Sequence, residues 1–245
     1  AATMNITGTA VTFTGENGSL YQPVYGSDDD LVLYLPFEQI NGTTQFDRSP
    51  YGNDATLQGG INCNASLGKY GGGCFFNNNT KDYIQLPALG VTTAPFTFEL
   101  WFFRRDDSRN NILSSGTGGF ELEVSSDKFQ FSEQGTATLI SSNQALGLNR
   151  WYHGAVTYDG VTHKMYIDGV LDQTSADAAR TFDDDTIEIG QGSSNGQNWN
   201  GSIDEVKIYK RALTAEEIRT HYLRGSGFGA SGAITADKFR VVNTS

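Results

Sequence analysis

This 245-residue chain holds two cysteines, five prolines, two methionines and three histidines. An isolated pair, Cys63 and Cys74, is too small a set for a zinc site, and a single disulfide clipping one short loop is its expected use. His153, His163 and His221 stand apart in sequence, so each is expected in a core or edge role rather than as a metal ligand or base. No apolar run approaches the roughly 20 residues that span a bilayer. Positive charge is also scarce, with 17 Lys and Arg against 28 Asp and Glu and a net charge of −11. Such a surface repels phosphate, which argues against nucleic acid and anionic lipid as partners, and it leaves room for a cation such as Ca²⁺. No Gly-x-Ser-x-Gly elbow, phosphate loop, paired-histidine metal motif or fixed-period repeat is present.

Aromatics and glycine are plentiful: 15 Phe, 11 Tyr, 3 Trp and 29 Gly. That combination suits short strands joined by glycine turns. From Leu31 to Tyr209 about a dozen β-type segments recur at short spacing, among them Phe96–Arg104, Phe120–Val124, Lys128–Ser132, Trp151–Tyr158 and Gly201–Tyr209. Asp159-Gly160 and Asp168-Gly169 are expected to be two-residue hairpin turns. The pattern predicts an all-β sandwich of two antiparallel sheets. A single helix, Leu213 to Tyr222, is expected on its edge. Thr214 and Glu217 make a capping box, Leu213 and Ile218 a staple, and Gly225 the expected stop.

Composition divides the chain into an N-terminal β-like arm (1–29), a central domain (30–224), and a Gly/Ser linker with a C-terminal β-like arm (225–245). The start at Ala1-Ala2, without Met, is what a processed precursor would leave. Seven asparagines lie in the N-x-[ST] pattern: Asn5, Asn17, Asn41, Asn64, Asn78, Asn200 and Asn243. With the expected disulfide they point to a secreted or cell-surface glycoprotein.

Several phrases in order resemble one family. They are Asp47-Arg-Ser-Pro-Tyr-Gly-Asn53, Gly68-Lys-Tyr-Gly-Gly-Gly-Cys-Phe-Phe76, Phe96-Thr-Phe-Glu-Leu-Trp101 and Trp151-Tyr-His-Gly-Ala155. Tyr166-Ile-Asp-Gly169, Gly201-Ser-Ile-Asp-Glu-Val-Lys-Ile-Tyr209 and Leu213-Thr-Ala-Glu-Glu-Ile218 complete the set. Together they look like the laminin-G-like jelly roll of the concanavalin A-like lectin/glucanase superfamily. The resemblance implies a jelly-roll sandwich, with Phe98, Trp101, Trp151 and Tyr166 expected in its two-sheet core. It also implies a structural Ca²⁺ site at Asp47, Asn53, Asp204 and the carbonyl near Gly71.

Glucanases of this superfamily carry three acids alternating on one strand. The nearest match, Glu121-Leu-Glu123-Val-Ser125, has two, and Glu99 stands alone between Phe98 and Leu100. No enzyme is therefore expected, and Glu121 and Glu123 are expected on the solvated face of an edge strand. The loop Gly192 to Asn200 offers Asn195, Gln197, Asn198 and Trp199 as a candidate sugar-binding group. The alternative is a polar loop with Trp199 folded into the core. Val11 and Phe13 in one arm, and Ile234, Phe239, Val241 and Val242 in the other, have no place in the family core. They favour assembly by strand exchange into a homo-oligomer or filament. The expected function is a non-catalytic surface building block or adhesin. A calcium-dependent carbohydrate-binding lectin is the alternative, and a polysaccharide-active enzyme a distant third.

Overall fold

The computed structural model describes residues 3–7, 10–14, 28–38, 40–78, 80, 82–91, 93, 95–116, 118–135, 137–177, 181–182, 186–192 and 197–227, without the side chains of 3–14, 40–41 and 224–227. It divides into two compact units, Ala1–Asp28 with Ser226–Ser245, and Asp29–Gly225. In the first, β1 (Thr3–Thr7) and β2 (Ala10–Thr14) form an antiparallel hairpin in which Thr3 faces Thr14 and Thr7 faces Ala10.

In the second unit, alternation of apolar and polar residues builds two antiparallel sheets. One is ordered β17 (Val170–Ala176), β16 (Thr162–Ile167), β15 (Trp151–Tyr158), β10 (Phe96–Arg104), β19 (Gly201–Tyr209), β8 (Gly73–Phe76) and β7 (Asn62–Asn64). The free edge of β19 is shared, since β8 pairs with its start and β3 (Leu31–Leu35) with its end. The other sheet is ordered β14 (Ala137–Ser141), β13 (Lys128–Glu133), β12 (Phe120–Ser125), β11 (Asn110–Ser115), β18 (Ile187–Ile189), β9 (Tyr83–Leu86), β6 (Ala55–Gln58), β5 (Thr44–Gln45) and β4 (Ile40–Asn41). This is the expected two-sheet sandwich of jelly-roll type. Between the sheets lies one apolar core that includes Phe96, Phe98, Phe102, Phe120, Phe129, Phe131 and Trp199.

The helix α1 (Ala215–Gly227) packs on the outer face of the first sheet over a second, smaller core of Leu31, Ala155, Tyr166, Tyr209, Leu213 and Ile218. Its capping box forms as expected, with Glu217 Oε2 accepting from Thr214 N at 2.8 Å and Glu217 N donating to Thr214 Oγ1 at 3.2 Å. Gly225 does not end it, because the helix runs on to Gly227. The expected aromatic core is corrected in the same way. Of the four residues assigned to it, only Phe98 lies between the sheets. Tyr166 belongs to the core under the helix, Trp101 is stacked on Tyr222 of the helix at 5.5 Å, and Trp151 is half-buried beside Phe103.

The turn at Asp168-Gly169 is the expected two-residue hairpin, with φ of 50° and 74°. The other turn is longer than expected. Asp159-Gly160-Val161 separates β15 from β16, and Asp159 Oδ1 accepts from both Val161 N and Thr162 N. Glycines before Cys74 allow a close approach of the backbone: a Cβ on Gly72 would lie 2.0 Å from the Phe37 carbonyl oxygen. Among the described residues no helix is long and apolar enough to cross a membrane.

Candidate functional site

β12 sets up the site by simple alternation. Phe120, Leu122 and Val124 enter the core, so Glu121 and Glu123 point to the sheet's other face. Residues opposite one another in antiparallel strands share a face. The register therefore draws one continuous line across eight strands: Thr44, Thr56, Gln85, Glu188, Ser114, Glu121, Ser132 and Thr138. Every member carries a hydroxyl, amide or carboxylate. At about 4.8 Å per strand the row spans roughly 34 Å. A second, shorter row runs beside it through Asn111, Glu123, Gln130 and Ser141.

Over β12 to β14 the rows form an open furrow of about 380 Å³, lined by Arg109, Glu121, Glu123, Gln130, Ser132 and Thr138 among others. The Glu121 and Glu123 side chains are only 3% and 2% exposed, whereas Arg109 is 45% exposed. One guanidinium serves both acids. Arg109 Nε donates to Glu123 Oε2 at 2.5 Å and Nη2 to Glu121 Oε2 at 3.1 Å. The bond to Glu123, opposed by partial burial, raises the Arg109 pKa further. Asn111 Nδ2 donates to Glu121 Oε1 at 3.1 Å and to Gln197 Oε1 at 3.2 Å, while Ser132 Oγ donates to Glu123 Oε1 at 3.3 Å. Asn111 Oδ1 is buried without a hydrogen-bond partner. Further along, Gln191 Nε2 reaches Glu188 Oε2 at 3.2 Å, and burial raises the Glu188 pKa.

The expectation for the two acids is thus corrected. β12 lies inside the sheet, between β11 and β13, and its carboxylates are buried rather than solvated. Ser125, in the place of a third acid, lines the same furrow. The loop expected to bind sugar is corrected as well. Trp199 is fully buried, 5.8 Å from Phe102 in an edge-on contact, and cannot serve as a platform. Asn198 faces the carbonyls of Asn78 and Thr80, and Gln197 reaches the shorter polar row by accepting from Asn111. Asn195 lies outside the described residues.

The four calcium candidates fall into two pairs. Asp47 Oδ1 accepts from Tyr34 N and Ser49 N, and its Oδ2 from Ser49 Oγ and Asn53 N, so both oxygens are doubly occupied. Asn53 Nδ2 donates to the Val32 carbonyl. Asp204 is fully buried and accepts from Tyr70 N and Glu205 N, beside the turn in which Gly71 O accepts from Gly68 N. Burial, with Glu205 adding repulsion, pushes its pKa up to about 8. Among the described residues no three His, Cys, Asp or Glu side chains converge as a metal site. Asp47 in this arrangement caps a turn.

Cys63 and Cys74 face each other on β7 and β8 and are bonded, as expected, with Cα atoms 4.0 Å apart. Of the sequon asparagines with described side chains, Asn64 is exposed, while Asn78 and Asn200 both donate Nδ2 to Asp106 Oδ2. The side chains of Asn5 and Asn41, and all of Asn17 and Asn243, lie outside the described residues. Val11 and Phe13 lie in β2 opposite Ile6 and Met4, with their side chains outside the description, as are Ile234, Phe239, Val241 and Val242 altogether.

A buried polar cluster under α1 had no signal in the sequence. His221 Nδ1 lies 2.8 Å from Glu99 Oε1, with Lys207 Nζ at 3.8 Å from the same oxygen and His153 Nε2 at 3.9 Å from Oε2. Burial opposes the charge on Glu99, but the His221 bond and the charges of Lys207, His221 and His153 together outweigh it and hold the pKa at about 2. Burial pushes His153 down to about 4. His163 is a core residue, stacked on Tyr158 at 4.0 Å.

Among solved structures the chain is similar to domain 4 of AbnA, a GH43 extracellular arabinanase from Geobacillus stearothermophilus, in complex with arabinotriose. The TM-score is 0.64 at 17% identity, covering 78% of this chain and 97% of that one. It is also similar to the binding domain of Paraclostridial Mosquitocidal Protein 1, with a TM-score of 0.65, 15% identity and coverage of 79% and 52%. The botulinum neurotoxin serotype D binding domain gives a TM-score of 0.64, 19% identity and coverage of 80% and 52%. The chain thus spans about half the length of these toxin domains, and the likeness establishes the fold alone. No curated protein matches. The family model for the concanavalin A-like lectin/glucanases superfamily, laminin-G type, matches residues 78–219, more than half of the chain. The chain belongs to the concanavalin A-like lectin/glucanase superfamily.

Proposed function

We propose that this protein is a non-catalytic, extracellular carbohydrate-binding module that takes a glycan chain along the polar furrow of the larger sheet. The observation that carries this reading is the open furrow over β12 to β14, which presents hydroxyl, amide and carboxylate groups at strand spacing. It is one end of the register row from Thr44 to Thr138, in which Ser114 is covered and donates to the Gln191 carbonyl. A polymer of sugar rings presents hydroxyls at a comparable repeat. The arabinotriose named with the arabinanase domain supports the ligand class. The disulfide supports an exported protein.

Catalysis is disfavoured by the charges. A glycosidase needs one carboxyl protonated and another ionised. Here one guanidinium binds Glu121 and Glu123 alike and holds both as acceptors. The test is isothermal titration of a panel of soluble polysaccharides, with a reducing-end assay alongside. Binding without release of reducing ends is expected, weakened about tenfold in Gln130→Ala/Thr138→Ala, which removes two furrow groups of about 0.5–1.5 kcal/mol each. Binding that the double variant leaves unchanged would move the site elsewhere.

Assembly is a second reading, favoured by the hairpin β1–β2, which forms a sheet of its own. A two-stranded sheet is marginal by itself and gains from a further strand. Calcium is a separate proposal. Supporting it is Asp204, whose buried charge a cation would offset; the occupied oxygens of Asp47 weigh against it. A melting temperature that rises from EDTA to calcium supports the ion, and identical melts remove it.

A further inference from the structure

The furrow holds a charge arrangement that a general sugar site does not need. Arg109 comes from the loop ahead of β11 and reaches across to β12, where its Nε and Nη2 engage Glu123 and Glu121 separately. Two buried acids therefore face one cation, and Glu133 lines the same furrow. Among these four residues the balance is two negative charges, on a chain whose net charge is −11. Among the described residues the guanidinium is the only cation lining the furrow, and its two described bonds both go to carboxylates. Two of its five donors are thus committed to carboxylates, and its single charge is outweighed by the three acids around it.

We propose that Arg109, Glu121 and Glu123 act as a charge filter, so that the furrow accepts neutral glycans and rejects those carrying uronate or sulfate groups. This rests on the reading of the furrow as a glycan site. A neutral sugar brings hydroxyl donors, which the carboxylates accept without a new charge. Ser132, Thr138 and Gln130 supply groups that donate as well as accept. A uronate placed in the same volume sits within a few ångströms of two ionised carboxylates in a partly desolvated site. At such separations like-charge repulsion is ample for a tenfold loss of affinity or more. The buried Asn111 fits this picture, since it donates to Glu121 while its Oδ1 stays without a protein partner beside the furrow.

The filter makes two reciprocal predictions. Neutralising both acids with Glu121→Gln/Glu123→Gln keeps the side-chain shapes and releases Arg109, which becomes an anion hook. Removing the guanidinium with Arg109→Gln instead bares the carboxylates to a cationic ligand. The probes are arabinan as a neutral polymer, polygalacturonate as an anionic one and chitosan as a cationic one. Binding is read by affinity electrophoresis and titration calorimetry at low ionic strength, with melting curves as the folding control.

Wild type is expected to bind arabinan or another neutral polymer and to ignore polygalacturonate. The double Glu variant is expected to gain polygalacturonate binding by about tenfold or more, with the gain lost at high salt. Adding Arg109→Gln to the double variant should abolish the gain. Arg109→Gln alone should gain chitosan binding, and it carries the test if the double variant does not fold. If wild type binds polygalacturonate as well as neutral polymers, the filter is wrong while the glycan reading stands. The filter is also wrong if neither variant changes charge preference, or if the gain survives loss of Arg109. If wild type binds no glycan and variants at Gln130 and Thr138 change nothing, the glycan reading itself fails and takes the filter with it.

Discussion

Single residues show where local pattern ends and long-range register begins. The alternation Glu121-Leu-Glu123 reveals that both acids share a face. It cannot reveal that Arg109 and Ser132 close over them, because those partners are set by strand pairing. Glu99 and His221 are 122 residues apart in sequence, and no spacing rule relates them. Their cluster predicts a measurable pH dependence. His153 has its pKa pushed down by burial to about 4 from 6.5, so the unfolded chain takes up a proton first. The neutral imidazole's contribution is complete above pH 6.5 and is lost as pH falls from there toward 4, on the order of 3 kcal/mol. Glu99, held at about 2, loses its contribution in turn as pH falls from 4.5 toward 2. Asp204 runs the opposite way: its pKa is raised to about 8, so its burial costs more as pH rises from 3.8 to 8. The diagnostic quantity is therefore a difference. Urea unfolding of wild type and His153→Gln should give curves whose separation shrinks between pH 6.5 and 4. A separation that does not change with pH would place the protonation elsewhere.

Elements were legible where their signal is local and were misjudged where packing decides. The helix start is a local matter. Thr214 and Glu217 exchange three hydrogen bonds, Arg211 bonds Glu217 from outside, and Thr97 Oγ1 accepts from Leu213 N just ahead of the first turn. That Arg211 bond, opposed by partial burial, holds the Glu217 pKa at about 2. The helix end is not local, since Gly225 is a weak stop when the preceding turns are anchored on a packed face. Thr214→Ala should cost about 1 kcal/mol, which for a domain of this size lowers the melting temperature by roughly 2–4 °C. Calorimetry would show it, and Thr214→Ser should restore most of the loss. The Gly68–Gly73 turn is a harder constraint. A Cβ at Gly72 would lie 2.0 Å from a backbone oxygen and one at Gly73 2.4 Å from Gly68 Cα, so neither contact is relieved by turning a side chain. Gly72→Ala should destabilise by several kcal/mol, about 3 or more, whereas Gly116→Ala, with open space around it, should not.

At the level of the whole molecule, the sequence phrases laid out a two-sheet sandwich in the right order because five of them carry a strand, while Asp47–Asn53 is a turn and Leu213–Ile218 the helix start. The polar row escaped notice because its members are scattered from Thr44 to Glu188 and become neighbours only through the sheet order. The roles of the arms turn on a different question, whether the sandwich needs them. Both apolar clusters, from Leu31 to Ile218, lie wholly within the unit Asp29–Gly225, as do the disulfide and every residue of the furrow. A fragment of residues 29–225 should therefore fold cooperatively, melt within a few degrees of the full chain and bind the same glycan with the same affinity. Light scattering then separates the two readings of the arms. If the full chain forms oligomers and the fragment is a folded monomer, strand exchange through residues 1–28 or 226–245 is the assembly device, and restoring one arm at a time identifies which. If fragment and full chain share one oligomeric state, the arms do not assemble the protein. A fragment that fails to fold would mean that the arms complete the sandwich itself, and the division into two units would lose its meaning.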